Sequence, residues 1–394
     1  MEEANRLKRL PFYLFTIIDD LKREAQVKGM EIIDLGMGNP DKPTPKHIVD
    51  ELCRSAKSPE NYRYSRSIDK VECELRQAIA KWYKRKFDVK LDPDREVLPL
   101  IGSKEGIAHI SLAFLNSDDV ALVPSPTYPV HFNGVLIAGG ILHNMPINEE
   151  NDFLPELDKI PSGVLKKAKM MFLSYPHNPT AAVASRGYFR KAVSFCRKNG
   201  VILIHDFAYS DITFDGYKAP SILQIPGARD VAVEFHTLSK SYNMPGWRIG
   251  FTVGNENILR ALGKTKSYID FGLFKPIQYA AIKALLGPQD CVRKQVELYK
   301  KRRDVMVDAL ADVGWEVARP KATFYLWAKI PDKYNALTSM QFVSLLIKEA
   351  GVVIAPGTGF GDYGEGYVRF ALVEEAPRLK EAAQRIKKVL KMEV

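Results

Sequence analysis

Apolar residues recur at helical spacing over residues 15–28, and the run Ile32-Ile33-Asp34-Leu35 that follows stops at the turn-rich Gly36-Met37-Gly38-Asn39-Pro40. From His47 onward, helical patterns alternate with compact apolar runs at 97–101, 120–123, 170–174, 201–205, 231–236 and 249–253. Strands separated by helices predict a mainly parallel sheet covered on both faces. Val201-Ile202-Leu203-Ile204 is continuous rather than alternating, as a central strand buried on both faces requires. Ligands of open α/β sheets bind outside the carboxyl ends of the strands. The polar residues just past these runs are therefore the first site candidates: Ser103, Ser125, Asn178, Asp206 and Thr237.

Beyond a helical stretch at 289–313 the pattern changes to short strands at 315–317 and 324–329, a helix at 339–350, strands near 352–355 and 367–371, and a terminal helix. This tail reads as a smaller α+β unit. A chain of 394 residues is long for a single core, so two domains are expected.

Hydrophobic residues at 46% and charged residues at 26% fit an ordinary globular protein and exclude extensive disorder. The net charge of +10 is spread along the chain except at Lys300-Lys301-Arg302-Arg303, which reads as the solvated face of a helix rather than a nucleic-acid patch. Cys53, Cys73, Cys196 and Cys291 form no Cys-x-x-Cys pair, so reduced, mostly buried thiols are expected, with no zinc site or disulfide framework. The seven histidines have no metal-ligand spacing either; His205 is expected to pack beside Asp206, and His177 to be an ordinary loop residue. No signal peptide or membrane-length apolar stretch is present, which makes a cytoplasmic location the default.

Ile101-Gly102-Ser103-Lys104-Glu105-Gly106 follows a strand and opens a helix, so its backbone N–H groups can hold a phosphate. Asp206 and Tyr209 lie three residues apart beyond the central strand; Lys240 follows another strand in Thr237-Leu238-Ser239-Lys240, and Arg248 comes eight residues later. Asn178, in Tyr175-Pro176-His177-Asn178-Pro179-Thr180, adds an amide after yet another strand. Each residue alone has an ordinary structural explanation. Together they supply an amine for an aldehyde, a carboxylate for a pyridinium nitrogen and donors for a phosphate, which is what pyridoxal 5'-phosphate needs.

At this point the chain resembles the class I/II aminotransferases, fold-type I pyridoxal-phosphate enzymes, over nearly its whole length. The resemblance is carried by Ser239-Lys240-Ser241-Tyr242-Asn243-Met244-Pro245-Gly246-Trp247-Arg248, by Asn178-Pro179-Thr180 and by Asp206-Phe207-Ala208-Tyr209. It implies that Lys240 holds the cofactor as a Schiff base and moves the proton, that Asp206 pairs with the ring nitrogen, and that Asn178 and Tyr209 contact the ring hydroxyl. Phosphate contacts would come from Ser103, the Lys104 backbone, Thr237, Ser239 and Arg248. Tyr128 would stack on the ring, Arg369 would bind the substrate α-carboxylate, and Gly38 would close over it. Tyr64, in Tyr62-Arg63-Tyr64-Ser65, would reach in from a second subunit, which requires a homodimer. The fold then expected is α/β, with a mainly parallel seven-stranded sheet in a large cofactor domain (45–288). A smaller α+β domain would be built from both chain ends (1–44 and 289–394).

Leu10-Pro11-Phe12-Tyr13, Met37-Gly38-Asn39-Pro40-Asp41 and Asp215-Gly216-Tyr217-Lys218-Ala219-Pro220 resemble the bacterial glutamate–pyruvate (alanine) transaminases within that family. The resemblance implies ping-pong transfer between an L-amino acid, alanine, and 2-oxoglutarate. Aspartate, methionine or LL-diaminopimelate are the alternative donors, and a Cβ–S lyase the alternative reaction. No second arginine stands out for a distal carboxylate; Lys275 and Arg66 read as surface charges. Neither a nucleic acid nor a membrane is expected as a partner, and no metal.

Overall fold

The computed structural model describes residues 2–11 and 14–392, so Phe12 and Tyr13 of the Leu10-Pro11-Phe12-Tyr13 stretch lie outside the described residues. The strands in chain order are β1 (Ile33–Asp34), β2 (Val97–Leu100), β3 (Val120–Ser125), β4 (Ile141–Pro146), β5 (Ala168–Leu173), β6 (Ile202–Asp206), β7 (Ala232–Thr237), β8 (Gly250–Gly254), β9 (Tyr325–Lys329), β10 (Val352–Val353), β11 (Ala355–Pro356) and β12 (Tyr367–Ala371).

Seven of them form one sheet in the order β2-β8-β7-β6-β5-β3-β4. The β3, β4, β5, β6 and β7 pairings are all parallel, whereas β8 runs antiparallel to both β7 and β2. The expected mainly parallel seven-stranded sheet is therefore present. Alternation along β6 sends Leu203 into the core beneath the Lys70–Phe87 and Lys275–Leu286 helices and Ile204 into the core beneath the Ser103–Phe114 and Glu256–Ile269 helices. The carboxyl ends of β5, β6 and β7 thus open toward the same rim. The edge strand β4 is absent from the apolar pattern of the sequence because it has one neighbour and an open face, with Ile141 and Asn144 exposed and His143 half-buried.

The chain ends meet in a second core. β1 pairs in parallel with β10, and Ala371 N–H donates to the Leu35 carbonyl at 2.7 Å. β12 lies between β11 and β9, and the Asp290–Ala311 and Ala376–Leu390 helices pack together over this unit. It is the smaller α+β unit expected from both ends.

Several local expectations are corrected. Residues 315–317 join no ladder; Trp315 is instead buried against Phe342 and Phe370, its indole N–H donating to the Lys329 carbonyl at 2.9 Å. Residues 352–355 divide between two sheets. The basic run is not a solvated face, because Arg302 and Arg303 are 1% and 2% exposed and bond to Asp41 and Asp215, acids distant in sequence. Of the four cysteines only Cys196 is buried; all four are free thiols. His205 faces away from Asp206 across the strand, its Nδ1 2.9 Å from Glu234 Oε2. Arg66 is a surface charge, as read, but Lys275 is largely buried, and the two share Asp69 at 3.1 and 3.0 Å. Among the described residues no helix is long and apolar enough to cross a membrane.

Candidate active site

A cavity of about 780 Å³ opens at the carboxyl ends of β5, β6 and β7. Twelve residues singled out in the sequence line it: Gly38, Ser103, Lys104, Tyr128, Asn178, Asp206, Tyr209, Thr237, Ser239, Lys240, Arg248 and Arg369. Tyr64 does not; its side chain is 84% exposed and edge-on to Phe271, with centroids 5.5 Å apart.

One end of the cavity is an anion cradle. Gly102 precedes the Ser103–Phe114 helix at φ +75°, and a Cβ there would lie 2.4 Å from Arg248 Nη2, so the guanidinium rests against bare backbone. A Cβ on Gly250 would lie 2.8 Å from Ser103 N. The free N–H groups of this helix start therefore face a space ringed by Arg248, Thr237 and Ser239. Thr237 Oγ1 caps the short Leu238–Ser241 helix, accepting from Ser239 N at 3.2 Å and donating to Ser239 Oγ at 2.9 Å. Arg248 sits at φ +53° and donates to the Pro245 carbonyl at 2.6 Å.

Lys240 lies on that short helix, partly buried, its Nζ donating to the Gly38 carbonyl at 2.8 Å and lying 5.4 Å from the Phe324 ring. Burial pushes the amine down to about 7, with the Arg369 and Arg248 cations acting in the same direction and Asp206 opposing them. Asp206, buried at the end of β6, has Oδ2 3.2 Å from His131 Nε2. His131 Nδ1 lies 2.8 Å from Thr127 Oγ1, and its ring stacks on Phe172. Tyr209 shares a 2.8 Å hydrogen bond with Tyr325, and burial raises its hydroxyl well above the ordinary range.

The opposite end is built around Arg369 of β12. Its guanidinium donates to Asn178 Oδ1 at 2.8 Å and to the Gly36 carbonyl at 2.7 Å, and lies 4.2 and 4.5 Å from the centroids of Tyr325 and Phe360. Its Nε is buried with no hydrogen-bond partner among the described residues, a donor left for a ligand. Gly38 must be glycine here, because a Cβ would fall 2.0 Å from the Tyr325 hydroxyl.

His131, Tyr325 and Phe360 were not found in the sequence. His131 has no metal-type spacing and acts on an aspartate 75 residues away; Tyr325 and Phe360 read as core aromatics. His177 is a loop histidine, as expected, and it is buried with Nδ1 2.8 Å from Thr180 Oγ1. Glu105, His109 and Asp270 do come within metal-ligand distance of one another, against the reading that no histidine belongs to such a group. The Lys266 ammonium already bonds to both carboxylates there, at 2.6 and 2.7 Å.

A lysine amine near neutrality, a buried carboxylate on a sheet end and a glycine-lined anion cradle fit pyridoxal 5'-phosphate, and with this sheet they define a fold-type I pyridoxal-phosphate enzyme. The chain belongs to the aminotransferases of class I and II, whose sequence profile matches residues 30–386 and whose members use this cofactor. It is 49% identical over 385 residues to the LL-diaminopimelate aminotransferase of Desulforudis audaxviator, covering 98% of this chain and 97% of that one. It is 50% identical over 382 residues to the glutamate–pyruvate aminotransferase AlaC of Escherichia coli, covering 97% and 92%. Among solved structures, substrate-bound BacF from Bacillus subtilis superposes with a TM-score of 0.93 at 38% identity, covering 99% and 98% of the two chains.

Proposed function

We propose that this aminotransferase moves an amino group between L-alanine and 2-oxoglutarate by a ping-pong mechanism. The observation that carries an acceptor with two carboxylates is the set of cations on the cavity wall: Lys104, Lys240, Arg248 and Arg369. Lys240 is required as the amine, Arg248 lies in the anion cradle, and the planar fork of Arg369, with its spare Nε donor, suits the α-carboxylate. Lys104 remains for a second carboxylate. Its ammonium lies 5.8 Å from the Tyr128 ring centroid, on the same wall.

When bound, the pyridoxal ring supplies the electron sink that makes the substrate Cα–H acidic. Lys240 is suited to take that proton and return it, because an amine near 7 has a large neutral fraction at physiological pH. Asp206, held by His131, would pair with the ring nitrogen, Asn178 and Tyr209 would contact the ring hydroxyl, and Tyr128 would cover the ring face. Ser103, the Lys104 N–H, Thr237, Ser239 and Arg248 would hold the phosphate, and Gly38 would close over the substrate carboxylate. We place Tyr64 in the neighbouring site of a homodimer. Its exposure, with the exposed Phe271 ring packed edge-on to it, supports this, since large apolar side chains left together in water mark an interaction surface.

LL-diaminopimelate is the second reading for the donor, favoured by the names of several relatives at 46–50% identity. The test is to add L-alanine to the purified protein while following the visible cofactor band, then add 2-oxoglutarate and assay pyruvate and glutamate. A band that alanine alters and 2-oxoglutarate restores supports alanine transamination; an unaltered band removes alanine, and LL-diaminopimelate is tried next. Continuous turnover of L-cystathionine to pyruvate, ammonia and a thiol with no acceptor present would instead reveal lyase chemistry. Lys240→Ala should cut turnover by at least roughly 10²-fold. Lys104→Met should raise the KM for 2-oxoglutarate about tenfold, the loss of roughly 1.5 kcal/mol from one charge-assisted contact, while leaving the KM for alanine unchanged.

A further inference from the structure

Among the buried residues of the Asp290–Ala311 helix are Gln295, Tyr299 and Arg302, at i, i+4 and i+7. This spacing places them on one face of the helix, two turns from end to end. At one end, Gln295 and Asn243 exchange a reciprocal pair of amide hydrogen bonds of 2.7 and 3.1 Å. Asn243 lies three residues beyond Lys240, at φ +52°, and its carbonyl accepts from Thr44 Oγ1 at 2.6 Å. At the other end, Arg302 grips Asp41 with two bonds of 2.7 Å. Asp41 lies three residues beyond Gly38, whose carbonyl accepts from Lys240 Nζ. Between the two ends the Tyr299 ring packs at 4.7 Å on Phe324, whose ring centroid lies 5.4 Å from the Lys240 amine. The bonds thus run in a closed circuit from Lys240 to Gly38, through Asp41 and Arg302, along the helix to Gln295, and back through Asn243 to the segment that carries Lys240.

We propose that Gln295, Tyr299 and Arg302 are positioning residues that make the Gly38 loop and the Lys240 segment move as one, so that closing the loop over substrate and placing the amine are a single event. Hydrogen bonding alone would not need this arrangement. Arg302 and Gln295 are long, buried polar side chains in a helix that apolar residues would pack more simply, and each reaches a segment that lines the cavity. The bidentate guanidinium–carboxylate pair fixes orientation as well as distance, and the reciprocal amide pair does the same at the other end. The kinetic arm of the test rests on the transaminase reading; the exchange arm does not.

Hydrogen–deuterium exchange on the cofactor-free full chain compares wild type with Asp41→Asn and with Gln295→Met, in the native background and again in Lys240→Met, which removes the direct bond to Gly38. Each variant is expected to speed amide exchange about threefold or more in both 36–42 and 241–248, although each residue touches only one of them. Acceleration confined to the touched segment overturns the proposal. In the holoenzyme, the double variant is expected to lose about fivefold less kcat than the product of the two single losses, whereas multiplicative losses overturn it. If Asp41→Asn does not fold, Asn243→Gly, which tolerates the positive φ, takes its place and must speed exchange in 36–42. Exchange that behaves as expected in a protein without transaminase activity supports the coupling and sinks only the functional reading.

Discussion

A lysine amine that keeps its proton at neutral pH is a poor base and a poor nucleophile, so what removes the proton matters more than the lysine itself. At Lys240 this is burial, aided by Arg369 and Arg248. Between about 7 and the ordinary 10.5 the native amine is neutral while the unfolded chain still binds the proton. The unfolded state therefore carries the extra proton, and native stability rises with pH across that window. Urea unfolding of the cofactor-free protein should gain stability relative to Lys240→Met between pH 7 and 9, by at most about 1.4 kcal/mol per pH unit. A wild type and variant with parallel pH dependence would mean that the amine is charged in the native state. Lys240, Asp206 and Asn178 were legible in the sequence because each lies at the carboxyl end of a strand or within five residues of it, where ligands of such sheets bind. His131 was not, since its significance comes from Asp206 and Thr127 around it, and a histidine on a helix has no local mark of that role.

An element shows its sequence signature only where its surroundings are uniform. β5, β6 and β7 are enclosed on both faces and read as apolar runs, whereas β4, at the edge, carries the polar residues that its open side permits. Arg302 and Arg303 misled in the opposite sense: charge predicts exposure until a distant acid is brought within bonding distance, and Asp41 and Asp215 are supplied by tertiary structure. The start of the Ser103–Phe114 helix was legible as a glycine turn, but the reason for the glycine is the Arg248 guanidinium lying against it. Gly102→Ala should cost about 1–3 kcal/mol of stability, because φ +75° with ψ +154° is a conformation open essentially to glycine alone, and should displace Arg248. Cofactor titration is expected to give a Kd raised about tenfold or more, with unchanged far-UV circular dichroism. An unchanged Kd would separate the anion cradle from cofactor binding.

At the scale of the whole molecule, one of the thirteen residues to which the family resemblance gives a role stands apart from the other twelve. Tyr64 cannot serve the cavity of its own chain in the conformation described, yet it is held in place on its segment: Ser65 Oγ accepts from Gln278, and Phe271 packs against the Tyr64 ring. A tyrosine left 84% exposed, with Tyr268 in the last turn of the Glu256–Ile269 helix exposed at 85%, is costly to leave facing water unless another surface covers it. The proposed homodimer supplies that surface and makes each site depend on both chains. Sedimentation should then give about twice the 44.4 kDa chain mass. The sharper measurement uses two inactive variants. Tyr64→Ala damages the site of the neighbour, and Lys240→Ala damages its own. In a mixed dimer the Tyr64→Ala chain keeps its own Lys240 and receives an intact Tyr64 from its partner, so one site of the two is whole. Mixing the two variants under subunit exchange should therefore restore activity and cofactor affinity that neither homodimer has. If Tyr64 instead served its own chain, or only packed locally, both sites of the hybrid would stay damaged and mixing would restore nothing.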